Sequence, residues 1–244
     1  MKDQYVGDVN DYIKYALLRA LAGAHDGRLH VCWMLTPTDG RTDGGRLTYL
    51  ADALRFRDFD PRLFDALANL VSADRRSVQA IETTKILPSA IFHADILPDA
   101  TVGRRLYFAK VWSRLDPGDL IFFDPDNGLE VSSVQRGRRD SSKYLYWDEL
   151  AIALNDNRSI CAYQHFPRRP RAAFVTSLLD QIGDLAPNHD AFAVSSPWVA
   201  YIVCAPPDRA HRLYEAAAEV AARPGSRLIL GQRSSPHRVG GASD

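Results

Sequence analysis

Residues 191–204 read AFAVSSPWVAYIVC. Two apolar runs, Ala191–Val194 and Val199–Cys204, flank Ser195-Ser196-Pro197-Trp198, which leaves no room for a helix. Strands joined this tightly run antiparallel, so the stretch predicts a late hairpin. Further back the pattern changes. Leu29–Leu35, Leu120–Phe123 and Ile160–Tyr163 are predominantly apolar runs, as strands covered on both faces are. Leu228–Leu230 is a shorter run, and Val78–Ile81 and Ala90–His93 are weaker strand candidates. Helical periodicity fills the intervals at Asn10–Ala22, Arg46–Phe56, Pro61–Val71, Val102–Leu115, Tyr144–Leu154, Arg171–Ile182 and Arg209–Ala222. Asp60-Pro61 pairs a capping residue with proline at the first helical position. Pro206-Pro207-Asp208 separates a strand from a helix in the same way. Alternating strands and helices predict an α/β fold: a doubly wound, mostly parallel sheet with a late antiparallel hairpin, Rossmann-like in its layering. One such domain is expected over residues 1–233, with a loose tail from Ser234 to Asp244.

The chain has 244 residues, of which 46% are hydrophobic and 25% charged, and its 30 basic side chains balance 30 acidic ones. That mixture excludes a disordered chain, a coiled coil and a disulfide scaffold. A neutral balance argues against holding duplex nucleic acid by bulk charge, while leaving local basic patches open. Cys32, Cys161 and Cys204 lie far apart in apolar runs, without metal-ligand spacing, and are expected to be buried thiols. No apolar run approaches the ~20 residues that span a bilayer. The N-terminus shows no signal-peptide pattern, so no membrane partner and a cytoplasmic location are expected.

Ligands of open α/β sheets bind beyond the carboxyl ends of the strands. After the first strand, Thr36 to Gly45 is rich in glycine and aspartate and includes Asp39, Gly40 and Asp43. It is either a solvated turn or a loop that brings backbone and carboxylates to a ligand. It is neither a G-x-G-x-x-G fingerprint nor a phosphate loop. After Leu120–Phe123 comes Asp124-Pro125-Asp126-Asn127-Gly128-Leu129-Glu130, the most informative stretch. Asp124 sits where the strand emerges, Pro125 stiffens the exit, and Asn127 or Gly128 can take a positive φ. The segment is an Asx-type turn, or a site where Asp124 and Asn127 hydrogen-bond an amino group or hold a cation. Arg136, Arg138, Arg139 and Lys143 follow, with Tyr144 beside them. After Ile160–Tyr163 come His165, Phe166, Arg168, Arg169 and Arg171. If both strands are parallel, both basic clusters share one edge, and their mixture of cations and rings suits phosphates and bases. A solvated face is the plainer reading. His165 is a candidate general base or donor, or a structural histidine.

The order of these features resembles an uncharacterised bacterial protein family that shares K-D-Q-Y-x-G-D-x-N-D-Y-x-K-Y (here Lys2 to Tyr15), L-T-P-x-D-G (Leu35 to Gly40), F-F-D-P-D-N-G-L-E (Phe122 to Glu130), S-S-K-Y-L-Y-W-D-E (Ser141 to Glu149) and Y-Q-H-F-P-R (Tyr163 to Arg168). More distantly, the layout is similar to the ribosomal RNA adenine-N6 methyltransferases, which use S-adenosylmethionine. In that resemblance Asn10, Asp11 and Lys14 stand where the N-terminal donor-binding segment lies, and Thr36, Asp39, Gly40 and Asp43 stand for the donor loop. Asp124-Pro125-Asp126-Asn127 stands for D-P-P-Y, whose aspartate accepts from the target amino group. The stacking tyrosine is replaced by Asn127, leaving Phe123, Tyr144 or Phe166 to supply a ring.

Three functions follow as expectations. The first is a methyltransferase acting on a nucleobase amino group, with Asp124, Asn127 and His165 catalytic and nucleic acid held by the basic edge. The second is a Mg2+-dependent phosphoesterase or nuclease using Asp124, Asp126 and Glu130, since hard cations take oxygen ligands. The third is a non-catalytic nucleic-acid-binding module on the same fold.

Overall fold

The computed structural model describes residues 1–37 and 44–232. The expected tail therefore lies outside the described residues, as do Asp39, Gly40 and Asp43. In chain order the elements are α1 (Val9–Gly23), β1 (Leu29–Cys32), α2 (Ala53–Phe56), α3 (Pro61–Ser72), α4 (Val78–Thr83), β2 (Ile91–His93), α5 (Thr101–Trp112), β3 (Leu120–Phe123), β4 (Gly128–Leu129), β5 (Tyr144–Leu145), α6 (Trp147–Ala153), β6 (Ser159–His165), α7 (Arg171–Leu185), β7 (Asp190–Ser195), β8 (Val199–Ala205), α8 (Pro207–Ala221) and β9 (Ile229–Gln232). Seven strands form one sheet in the order β2-β1-β3-β6-β8-β7-β9. The first four run parallel. β8 runs against both β6 and β7, so the predicted hairpin inserts its second strand between them. β9 closes the edge, antiparallel to β7. The short strands β4 and β5 pair separately.

Alternation along each strand feeds two cores. Val31, Phe122 and Tyr163 face Leu17 and Leu21 of α1, Leu67 of α3, Ile81 of α4 and Leu213 of α8. Cys32, Phe123 and Ala162 face Phe108 of α5, Leu150 of α6 and Leu179 of α7. Both faces are thus covered, as a doubly wound sheet requires. The three cysteines are buried and unbridged. Burial pushes the Cys32 and Cys204 thiols up to about 12, so they pack as small apolar groups. Among the described residues, no helix is long and apolar enough to cross a membrane.

Three local expectations are corrected. Val78–Ile81 is helical: Ser77 accepts from the Ala80 N–H at 3.1 Å, and Val78 and Ile81 are buried at a spacing of three. A four-residue apolar run cannot by itself separate the two periods. The expected helix Arg46–Phe56 is instead a 3-10 turn at Thr48–Ala51 followed by the single turn α2, broken at Asp52 (φ −117°, ψ 64°). Leu54, which would have anchored an apolar face, is fully solvated. Tyr144–Leu145 pairs as β5, and the helix begins only at Trp147, where Glu149 accepts from the Tyr146 N–H at 3.0 Å.

A buried polar chain crosses the α5 side of the sheet. Asp119 Oδ2 lies 2.9 Å from His30 Nε2, and His30 Nδ1 lies 3.1 Å from His93 Nε2. The three groups thus lie in line, a carboxylate beside one ring nitrogen of His30 and the His93 ring beside the other. Burial lowers both imidazoles, His93 to about 4 with help from His30. A depressed folded value gives stability that is present above the unfolded value of about 6.5 and lost as pH falls toward the folded one. Between pH 7 and 4.5 His93 should therefore contribute a loss of about 2 kcal/mol, read as the difference in urea midpoints between wild type and His93→Gln. That variant should flatten the pH slope, and an unchanged slope would count against the assignment.

Candidate active site

The site lies where the theory of open sheets places it, beyond the carboxyl ends of β3 and β6. Asp124 follows the last residue of β3, and its N–H donates to the Cys32 carbonyl at 3.0 Å, carrying the pairing one residue past the strand. Its side chain then leaves the sheet at the C-terminal edge, buried.

The start of α1 meets it from above. Gly7 takes a positive φ of 82°, turning the chain into the helix. Asp8 caps that helix, accepting from the N–H groups of Asn10 (2.8 Å) and Asp11 (3.0 Å). One turn on, Lys14 Nζ lies 2.7 Å from Asp11 Oδ1 and donates to Asp124 Oδ2 at 2.8 Å. Asp11 Oδ2 accepts from Gly7 N–H (3.1 Å) and Tyr15 OH (2.9 Å). The ammonium also sits among rings, 5.1 Å from the centroid of Tyr15 and 5.5 Å from that of Trp33. One ammonium is thus shared by two buried carboxylates, and the hydrogen bonds from Gly7 and Tyr15 to Asp11 help to hold the excess negative charge.

Burial and the Asp11 carboxylate push Asp8 up to about 7, so it exchanges a proton near neutrality. Burial also raises Asp11, against the pull of Lys14. Burial works to lower Lys14, but the carboxylates of Asp11 and Asp124 outweigh it and hold the ammonium above its ordinary value.

These groups floor a cleft of about 870 Å3. Asn10 lines it, and its side-chain oxygen is buried without a hydrogen-bond partner among the described residues. Tyr163, His165 and Phe166 form one wall; Arg168, Arg169, Arg171 and Arg46 give it cationic groups. His165 is exposed, its ring set edge-on to Tyr163 at 5.1 Å.

Other expected residues are placed differently. Asn127 does not join Asp124. It lines a neighbouring cavity of about 480 Å3 with Tyr144 and Trp147, beyond the His165–Pro167 segment that borders both. Its backbone is fixed by the Lys143 carbonyl (2.9 Å) and the His165 N–H (3.2 Å). Gly128, at φ 121°, turns the chain there, and a Cβ would strike the Gln164 amide at 2.4 Å. Thr36 is buried and donates to Asp126 at 2.6 Å. The first basic cluster also stays outside the cleft. Arg136 pairs with Asp148, Lys143 with Asp140 at 2.9 Å, and Arg138 and Arg139 are exposed on the intervening loop. The two clusters follow neighbouring parallel strands, but only the second lines the cavity, because the 131–140 loop runs away from it.

The three carboxylates of the Mg2+ reading do not converge. Asp124 is held by Lys14, and Asp126 by the Met1 ammonium at 2.7 Å and by Thr36. Glu130 accepts from the Trp147 N–H at 2.9 Å and lines the neighbouring cavity. The ammonium outweighs burial and keeps Asp126 below the usual carboxylate range. Among the described residues, no group of three His, Cys, Asp or Glu side chains is arranged to hold a metal ion. The donor set present thus does not fit a resident divalent cation.

Asp8, Arg46, Tyr163 and Trp198 line the cleft without having been singled out as site residues from sequence. Asp8 carried a signal, since an aspartate just before a helical run marks a cap. Arg46 and Trp198 carried none. No family model matches the chain, and no curated protein does.

Proposed function

We propose that the chain transfers a methyl group from S-adenosylmethionine to an exocyclic amino group of a nucleobase. The observation that carries the reading is the position of Asp124: a carboxylate at the end of β3, buried under a cleft that the start of α1 floors and arginines rim. The reversed strand β8, lodged between β6 and β7, supports it as the sheet arrangement expected of such enzymes.

The donor's fit rests on Asn10. Its side-chain oxygen is buried on the cleft wall and has no partner among the described residues, an arrangement that a donating ligand would satisfy. The acidic cap at Asp8 suits a cationic donor. When bound, S-adenosylmethionine supplies an electrophilic methyl group. The protein's part is positioning and a fixed field. Asp124 accepts an N–H from the target amino group, and Lys14 fixes the carboxylate through Oδ2. Tyr163 and Phe166 offer ring faces to the base, while Arg168, Arg169 and Arg171 meet its phosphates.

The test is calorimetric titration of the whole chain with S-adenosylmethionine. Micromolar binding is expected, weakened about tenfold in Asn10→Ala. A second reading, a nucleic-acid-binding module without turnover, is favoured by one observation: the Lys14–Asp124 pair already occupies a carboxylate oxygen, and Asn127 faces another cavity. No heat from wild type at about 1 mM donor would favour it.

A further inference from the structure

Beside the cleft lies a second cavity of about 430 Å3, built differently. Its walls are the rings of Tyr12, Tyr49, Phe56, Phe59 and Trp198. Tyr12 and Tyr49 are stacked at 5.2 Å, with Phe59 edge-on to Tyr12 at 5.3 Å, so this wall is packed in place. The Tyr12 hydroxyl donates to the Phe56 carbonyl at 3.0 Å and accepts from the Asp60 N–H at 2.9 Å, so this buried ring backs the wall while Phe56 and Trp198, half-buried, supply its open face. Polar groups gather around it: Arg46, Arg55 and Arg227, with the single carboxylate Asp52. Among the described residues none of the three arginines forms an ion pair, whereas nearby Arg19 and Arg223 share Asp60 and Arg57 holds Asp65. The volume falls in the range of small-molecule sites, roughly 300–1,000 Å3. Flat rings prefer such walls, and guanidinium groups with no carboxylate partner among the described residues, one of them (Arg55) lying 5.2 Å over the Phe56 ring, select an anion at the rim.

We propose that this cavity binds a nucleotide, with the base against the aromatic wall and the phosphate at Arg46, Arg55 and Arg227. Arg46 and Trp198 border both this cavity and the cleft, the guanidinium lying 5.3 Å over the indole. A strand crossing that pair reaches from one cavity into the other. The nucleotide is then either free or the neighbour of the target base in a single strand; the second case rests on the methyltransferase reading.

The experiment titrates the full chain with adenosine monophosphate and with a single-stranded oligonucleotide of about eight residues. Both are repeated in Phe56→Ala and in Arg55→Glu with Arg227→Glu, whose side chains are half-buried and exposed respectively. Loss of the stacking ring should weaken binding about five- to hundredfold, and the charge reversal at least about tenfold. Oligonucleotide binding much tighter than monophosphate binding, and weakened in the same variants, identifies a unit of a strand. Equal affinities identify a free nucleotide. If wild type binds neither, or binds the oligonucleotide with no change in either set, the inference is overturned. S-adenosylmethionine is titrated into the same variants: donor binding retained there shows the proposed activity standing when the nucleotide site has failed, and donor binding absent from wild type shows the reverse.

Discussion

Replacing Lys14 by methionine is expected to cost about 3–5 kcal/mol of stability at pH 7.5, among the largest losses available to a single substitution here. The ammonium stands between Asp11 and Asp124 at 2.7 and 2.8 Å, and all three side chains are almost wholly buried. Removing it leaves two like charges facing each other away from water. The change should also depend on pH with a definite sign. Burial already raises Asp11. Without Lys14 the folded value rises further above the unfolded value of about 3.9. A raised carboxyl stabilises most below its unfolded value and loses that contribution as pH climbs through the folded one. The deficit of the variant should therefore shrink from pH 8 to pH 5, measured by urea midpoints. Adding Asp11→Asn should restore about 1–3 kcal/mol, a coupling that a double-mutant cycle reads directly. A single variant within about 1 kcal/mol of wild type would show that the triad is not the buried unit described.

Asp124→Asn is expected to lower methyl transfer by about 10²–10⁴-fold while leaving the chain folded. The amide keeps the size of the side chain and leaves Lys14 its pair with Asp11. It removes the negative charge that the amino group's developing positive charge would meet. The assay follows tritium from labelled S-adenosylmethionine into single-stranded RNA and DNA. Donor affinity should change by less than about threefold, because Asn10 rather than Asp124 is assigned to the donor. Unaltered turnover in Asp124→Asn would remove Asp124 from the reaction. Asn127→Ala provides the contrast: lining a different cavity, it should leave turnover within about threefold.

The sheet was readable because its strands are short, mostly apolar and separated by helical segments. Asp60-Pro61 opens α3 where the pattern says, with Asp60 accepting from the Leu63 N–H at 3.2 Å. The Ser195–Trp198 turn has the predicted antiparallel strands on either side. What failed was local ambiguity. Val78–Ile81 fits both periods, and the 46–56 segment has apolar residues whose burial depends on partners elsewhere.

The site was legible only in part, for a different reason. Asp124 could be placed by its position after an apolar strand. Its counter-ion could not, because Lys14 lies 110 positions away and nothing in the spacing joins them. Lys14 and Asp11 were expected to face a donor; both line the cleft, and there Lys14 is also the shared counter-ion of Asp11 and Asp124. Asn127 was paired with Asp124 from proximity in sequence, yet the turn at Gly128 carries the chain toward β5 and a separate cavity. Arg136, Arg138 and Arg139 were grouped with Arg168 and Arg169 by composition, and composition does not say which way a ten-residue loop runs.

The strand order has a consequence for how the chain is made. β7 is complete before β8 exists, yet β8 must lie between it and β6. Until residue 205 has left the ribosome, β6 presents an unpaired row of backbone donors and acceptors, with only β3 on its other side. The helix α7 links β6 to β7 in the manner of an ordinary crossover, so the nascent chain can close β7 directly onto β6. Tyr163 and His165 of the cleft wall belong to β6, and Tyr201 on β8 packs edge-on against Tyr163 at 5.7 Å. Synthesis from the N-terminus thus delivers Lys14, then Asp124, and the wall beside them is complete only when β8 takes its place between β6 and β7.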